Sequence, residues 1–243
     1  MTRKFVSGIV ATGIAVSMAA LLGGCAATKQ GAEVAPVGGF LPEPSALEPG
    51  KSGQAALVYL NPEARWGSYS KMLLEPVTVW TSGNSRLNEV PPEQRKALAD
   101  TLYAHLHDAA AQRCQMVTEP APGTLCVHIA LVDAEASNAA LNTISTYVPQ
   151  ARVLSTLTGY AFNDGIGLFA GSAAVEGYAT DAGTGTILWE GVDKRAGGDA
   201  ISTNTLNSWS DVDNAAKAWA EQLARRLAEL GACPAATATA PSQ

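Results

Sequence analysis

The residues able to do chemistry in this chain are few, and their spacing settles much of what they can do. His105 and His107 stand two apart in a run of helical period. They leave a helix on nearly opposite sides and cannot share a metal ion. His128 lies in an alternating, strand-like run, with Asp133 on the opposite face by period-two counting. Asp133 and Glu135 share one face of that strand, and Glu176 and Asp193 flank a later hairpin. Paired carboxylates can act as general acid and base. At strand ends they more often serve as solvated charges that protect an edge, and we favour that reading. On it, changing Asp133, Glu135, Glu176 or Asp193 singly to its amide shifts stability by under about 0.5 kcal/mol. Loss of Trp189 or Trp219, expected in the core, costs about 3–5 kcal/mol. Gly165-x-Gly167-x-x-Ala170 has the outline of a dinucleotide loop but lacks a strand before it and a helix after it. Gly-x-Ser-x-Gly is absent, and Ser172 has no histidine within the reach of sequence. We assign no catalytic residue, metal site or cofactor and expect no enzyme activity.

The remaining reactive group is the thiol of Cys25. Met1-Thr2-Arg3-Lys4 gives a cationic start, Phe5 to Leu22 is apolar, and Leu22-Gly23-Gly24 puts small residues before the cysteine. This is the layout of a secretory signal. Its end resembles the lipobox of bacterial lipoproteins. The resemblance implies diacylglyceryl transfer to the Cys25 sulfur, cleavage before Cys25, and N-acylation of the new terminus. An uncleaved transmembrane anchor is the alternative, since the apolar run is about long enough to span a bilayer. Gly, Ala and Ser dominate that run, however, and insert weakly. Ala26 follows the cysteine, where many lipoproteins retained at the inner membrane carry Asp. The expected location is therefore the periplasmic face of the outer membrane.

The chain carries a net charge of −6, and removing Arg3 and Lys4 with the signal makes it more acidic. Without a Lys/Arg cluster it has no footprint for a phosphate backbone, so nucleic acid is excluded as a partner. Membrane attachment then rests on the lipid. After acylation three cysteines remain, Cys114, Cys126 and Cys233, in a compartment where a disulfide persists. Three is odd, and no C-x-x-C is present. A Cys126–Cys233 bridge follows if strands and helices alternate in direction. Cys126 opens a strand, and Cys233 follows the last helix at the same end of the sheet. Cys114, in a hairpin with the Cys126 strand, would then be free.

Elements can be read around these groups. Residues 1–24 are the signal peptide. Residues 25–54 hold Pro36, Pro42, Pro44, Pro49 and several glycines, and read as a flexible tether of roughly 30 Å r.m.s. span. Residues 55–231 form one domain, and 232–243 a disordered tail. Met72-Leu73-Leu74 and Val77-Thr78-Val79-Trp80 read as strand, with Pro76 demanding a bulge or edge. A helix starts at Pro92, its apolar side set by Leu98, Leu102 and Leu106. The strand from Leu125 to Asp133 is apolar enough on its second face to suggest partial cover. Ala173–Thr180 and Thr186–Lys194 flank a Gly-rich turn, and a loop centred on Gly183-Thr184 places Tyr178 opposite Trp189. The final helix has a Ser210-x-x-Asp213 box at its start and Gly231 at its end. Residues 137–170 receive no assignment beyond a short helix near Ala151–Leu157. The expected class is α+β: an antiparallel sheet with two long helices packed on one face.

Ordered blocks in this sequence resemble a family of bacterial lipoproteins known as domain-of-unknown-function family 3313. They begin with Gly39-Phe40-Leu41 and Ser45-x-Leu47-x-Pro49, although Pro44 stands where a tyrosine is common. Tyr69 and Pro76-Val77-Thr78-Val79-Trp80 follow, then Pro122-Gly123-Thr124-Leu125 and Ala130-Leu131-Val132-Asp133-Ala134-Glu135. Gly171-Ser172-Ala173-x-x-Glu176, Asp181-x-x-Thr184-Gly185 and Asp193-x-Arg195-x-Gly197 complete the set. The resemblance implies location and fold but no activity. A non-enzymatic binding or accessory role in the cell envelope, with an envelope protein as partner, is the first expectation. An enzyme using the carboxylates, or a structural subunit of an envelope export complex, are the alternatives. Neither the partner nor a small-molecule ligand is specified.

Overall fold

A computed structural model describes residues 28–31, 34–136, 171–197 and 209–234. Cys25, the stretch read as a signal peptide, the unassigned stretch 137–170 with its Gly165 and Gly167, and residues 235–243 lie outside them. In chain order the strands are β1 (Thr28–Gln30), β2 (Glu48–Pro49), β3 (Leu57–Leu60), β4 (Lys71–Leu74), β5 (Thr78–Val79), β6 (Gln115–Met116), β7 (Thr124–Glu135), β8 (Ser172–Asp181) and β9 (Ile187–Gly197). The long helices are α1 (Pro92–Ala111) and α2 (Ser210–Leu230). All nine strands join one sheet of order β2-β3-β9-β8-β7-β4-β6, with β1 on β9 and β5 on β7.

The class is α+β, as the element pattern predicts, but the sheet is mixed. Its centre, β7-β8-β9 with β3, is antiparallel. β4 runs parallel to both β6 and β7, and β5 parallel to β7. The chain leaves β4 through β5 and α1 and comes back as β6, and such a helical crossover yields parallel neighbours. Pro76 sits exposed in the break between β4 and β5.

Both helices cover one face. α1 buries Ala99, Leu102, Leu106 and Ala110. α2 buries Val212, Ala216, Trp219, Ala220 and Leu227, close to the stripe its period predicts. Gly231 closes α2 in the left-handed region (φ 71°), its N–H shared by the Ala228 and Leu227 carbonyls, as a C′ glycine should. The start differs from expectation. The N-cap is Trp209 and no capping box forms. Asp213 instead takes Lys217 Nζ at 2.6 Å and contacts His105 Nε2 of α1 at 2.9 Å, tying the helices together.

Two register shifts correct the strand reading. Thr180 faces Ile187, but Ala179 faces Trp189, so β9 carries one extra residue at Leu188. Tyr178 therefore lies opposite Glu190, and Trp189 points to the helix side. A second shift, between Leu131 and Asp133 of β7, inserts Val132. Asp133 thus shares the face of His128 rather than opposing it. One inserted residue reverses every later side chain.

The supposed tether is part of the domain from residue 34 onward, and Thr28–Gln30 pairs with Gly197–Arg195 as β1. Residues 37–43 cross the second face of the sheet. Val37 N–H donates to Glu176 Oε1 (2.5 Å) and Glu43 N–H to Glu190 Oε1 (2.8 Å). Phe40 packs against Trp80 and Tyr178, and Leu41 is buried. Proline and glycine enrichment marked the lack of regular structure here, not a lack of packing. This segment is the cover that the apolar second face of β7 required.

The disulfide is Cys114–Cys233, with a Cα separation of 4.8 Å, and Cys126 is free. The expected Cys126–Cys233 bridge fails because β4 stands between β6 and β7, so no β6–β7 hairpin exists. Consecutive carbonyls gather the true pair: Ser70 accepts from Gln115 N–H (3.0 Å) and Tyr69 from Cys233 N–H (2.8 Å). Ala232 and Cys233 are fully buried, so these two residues belong to the domain rather than to the tail expected from residue 232. Non-reducing peptide mapping is expected to link the Cys114 and Cys233 peptides and leave Cys126 alkylatable. With a sequence separation of 119, reduction is expected to remove up to about 4–5 kcal/mol of stability. A Cys126 cross-link would contradict this pairing.

Candidate functional site

The carboxylates paired by sequence are separated by the fold. Asp133 Oδ1 accepts from Arg86 N–H (2.7 Å) and Ser85 Oγ (3.2 Å), and so caps the 3-10 turn Arg86–Glu89. Glu135 pairs with the Arg86 guanidinium. Both anchor a loop. Glu176 and Asp193 lie on opposite faces of the sheet, because Val175, not Glu176, is the cross-strand partner of Asp193. Neither is a solvated edge charge: Glu176 is 0% and Asp193 3% exposed. Asp181 shapes the Gly-rich turn between β8 and β9, its Oδ1 accepting from the Gly183 and Thr184 N–H groups.

Asp193 is a junction. Its Oδ2 accepts from Trp219 Nε1 of α2 (2.7 Å) and Arg195 Nε (3.2 Å). Its Oδ1 accepts from Ala56 N–H (3.0 Å) and from Gln30 Nε2. On the other face, Glu176 has Glu190 as its neighbour, a partner that the unbulged hairpin register hid. Burial pushes both carboxyls up, and their strap hydrogen bonds from Val37 and Glu43 pull each back; the Glu190 charge adds to the rise at Glu176. The second oxygen of each is buried without a hydrogen bond.

The histidines hold no metal arrangement. His107 stacks on Tyr103. His128 stacks on Tyr178 at 4.5 Å, and its Nε2 lies 3.3 Å from Cys126 Sγ. Sequence reasoning passed over this thiol–imidazole pair, although i and i+2 on a strand share a face. Burial raises the Cys126 thiol pKa and lowers that of His128. Both groups are thereby held neutral, the reverse of an activated thiolate–imidazolium pair. Ser172 is buried at the start of β8, facing Glu135 and Ala196. Among the described residues no group of three His, Cys, Asp or Glu side chains could hold a metal.

What the fold does build is an apolar cavity of about 140 Å³ between the helices and the sheet. Its floor is built from neighbouring cross-strand rows: Val127–Ala179–Trp189, Ile129–Gly177–Gly191 and the pair Val175–Asp193. The middle row explains the gap. A Cβ on Gly177 would stand 2.5 Å from Ile129 Cδ1, and one on Gly191 2.5 Å from Trp189 Cζ2. The facing glycines let the Trp189 indole lie flat along the sheet. Trp66 and Trp219 add further wall, with Leu223 and Leu227 from α2. One end, at Met72, Leu102, Leu106 and Leu125, is fully enclosed. The other holds Gln54, Gln222 and Arg226, and Leu223 and Leu230 there are part-exposed. Left empty, such a hole forfeits about 3 kcal/mol of packing. An apolar recess of this size accepts apolar guests.

The chain belongs to the family described as "Protein of unknown function (DUF3313)", whose model matches residues 38–223. That span begins within the strap and ends in α2. Among solved structures, the chain is similar to a point variant of the PelC dodecamer from Paraburkholderia phytofirmans, at 10% identity and a TM-score of 0.37, over 72% of this chain and 96% of that one. It is also similar to a DUF4136 family protein from Bacteroides thetaiotaomicron, at 12% identity and a TM-score of 0.32, over 72% and 95%. No curated protein matches.

The raised carboxyls fix a pH dependence. A folded carboxyl with a raised pKa binds its proton more tightly than the unfolded chain does. Its stabilising contribution is full below the ordinary glutamate value of 4.5 and is lost as pH rises through the folded value. Glu176→Gln keeps an oxygen to accept from Val37 and cannot ionise. The wild type is expected to lose thermal stability as pH climbs from 4.5 toward neutrality, and Glu176→Gln to lose less. Parallel melting curves across that window would contradict the assignment.

Proposed function

We propose that this protein is a lipid-anchored component of the bacterial envelope, held through acylated Cys25 at the periplasmic face of the outer membrane. Its role there is to bind another envelope component rather than to catalyse. The observation that carries the binding role is the preformed apolar cavity. It has the form of a ligand site, an apolar recess with a few polar groups at one end. The ionisable side chains that could do acid–base work are committed elsewhere: Asp133 and Glu135 hold a loop, Asp193 a junction, Glu176 a strap. The location rests on the signal layout and the lipobox-like Leu22-Gly23-Gly24-Cys25.

The test is complementation of a deletion strain, with palmitate labelling and envelope fractionation of each variant. Cys25→Ala is expected to lose both the label and function. Cys126→Ser, His128→Gln and Asp133→Asn are expected to complement as the wild type does. Palmitate on Cys25→Ala would remove the anchor. A folded, correctly localised Cys126→Ser or Asp133→Asn protein that behaves as a null would replace the binding role with an enzymatic one.

A further inference from the structure

We infer that the cavity takes a single aliphatic chain ending in an anion, such as a medium-chain fatty acid, with the chain inside and the carboxylate at Arg226. This rests on the binding role proposed above and names its ligand. Three features define the chemistry. The hole runs lengthwise from an enclosed end at Met72 and Leu125, past Trp189 and Trp219, to an open end at Gln54, Gln222 and Arg226. Its volume of about 140 Å³ is close to that of an engineered cavity that holds one benzene. A chain of about six carbons fits, and a longer chain, two chains or a fused ring system do not.

The polar end then selects the headgroup. Asp193 is saturated by Trp219, Arg195, Ala56 and Gln30. The Gln222 amide donates to Gly53 O (3.2 Å) and accepts from Arg195 (3.3 Å). Among the described residues, Arg226 is engaged at Nη1 alone, by Glu229 at the surface. A guanidinium has five N–H donors, so most of its fork is free to meet a carboxylate. Ile129, Val175 and Trp189 lie mid-sheet beneath the helices and still keep partial exposure, because the cavity lies against them.

The probe is 6-bromohexanoate, whose bromine quenches tryptophan on contact. It is titrated into the full-length acylated protein in lipid nanodiscs, with 6-bromohexanol as the uncharged control. The wild type is expected to show saturable quenching by both. Ala179→Leu and Leu223→Phe fill the hole from the sheet and from the helix. Each is expected to abolish saturable quenching with a melting temperature no lower than wild type. Arg226→Gln is expected to weaken bromohexanoate about tenfold, the worth of one charge-assisted hydrogen bond, and to leave bromohexanol unchanged. Wild-type quenching no greater than that of a folded filling variant would overturn the cavity as the site. Equal losses for both probes in Arg226→Gln would overturn the anionic headgroup. Failure here with complementation and labelling intact would leave the envelope role standing.

Discussion

The fold depends on one buried carboxylate. Asp193 stands on the helix side of the central strand β9 and accepts hydrogen bonds from the indole of α2, the backbone before β3, the side chain of β1 and its own neighbour Arg195. A buried anion is tolerated only when its lone pairs are filled and a counter-charge is near, and here both conditions hold. These bonds orient Trp219 and set the height of α2 above the sheet. With the glycine pair Gly177–Gly191 below and Trp189 laid across it, that height leaves the cavity. The same contact that fastens the helix layer thus shapes the recess that defines the candidate site.

The opposite face is organised by the same means with the opposite electrostatics. Glu176 and Glu190 hold the strap of residues 37–43 through its backbone N–H groups, but among the described residues no cation faces them in a contact like that of Arg195 with Asp193. Burial therefore raises their proton affinity. Trp80 reaches over the strap to donate to Gly38 O, and Gly38 and Gly39 both sit at positive φ. A Cβ on Gly39 would stand 3.2 Å from the Trp80 ring. The segment is irregular because its hydrogen bonds run to side chains of the sheet, so no periodic pattern announces it.

The helices, the long strands and the Asp181 turn were legible in the sequence because each rests on local period or local chemistry. What was not legible depends on insertions and on strand order. The extra residue at Leu188 rotates Trp189 from the Tyr178 face to the helix face, and the extra Val132 carries Asp133 to the face of His128. Neither has a composition signal in a run of apolar residues. The wrong disulfide followed from assuming that β6 and β7 are neighbours, whereas β4 separates them. For the site, Gly177 and Gly191 carried the available signal. They are symmetric about the hairpin once its bulge is admitted, and glycine within a strand often marks a close approach.

The account stands or falls on the Asp193–Trp219 bond, and a double-mutant cycle measures it directly. Asp193→Ala, Trp219→Phe and the double variant are unfolded in denaturant beside the wild type. A hydrogen bond to a buried charge should appear as a coupling of about 1.5–3 kcal/mol between the two positions. Effects that add to within about 0.3 kcal/mol would mean that the carboxylate does not hold the helix, and that another contact sets the layer spacing.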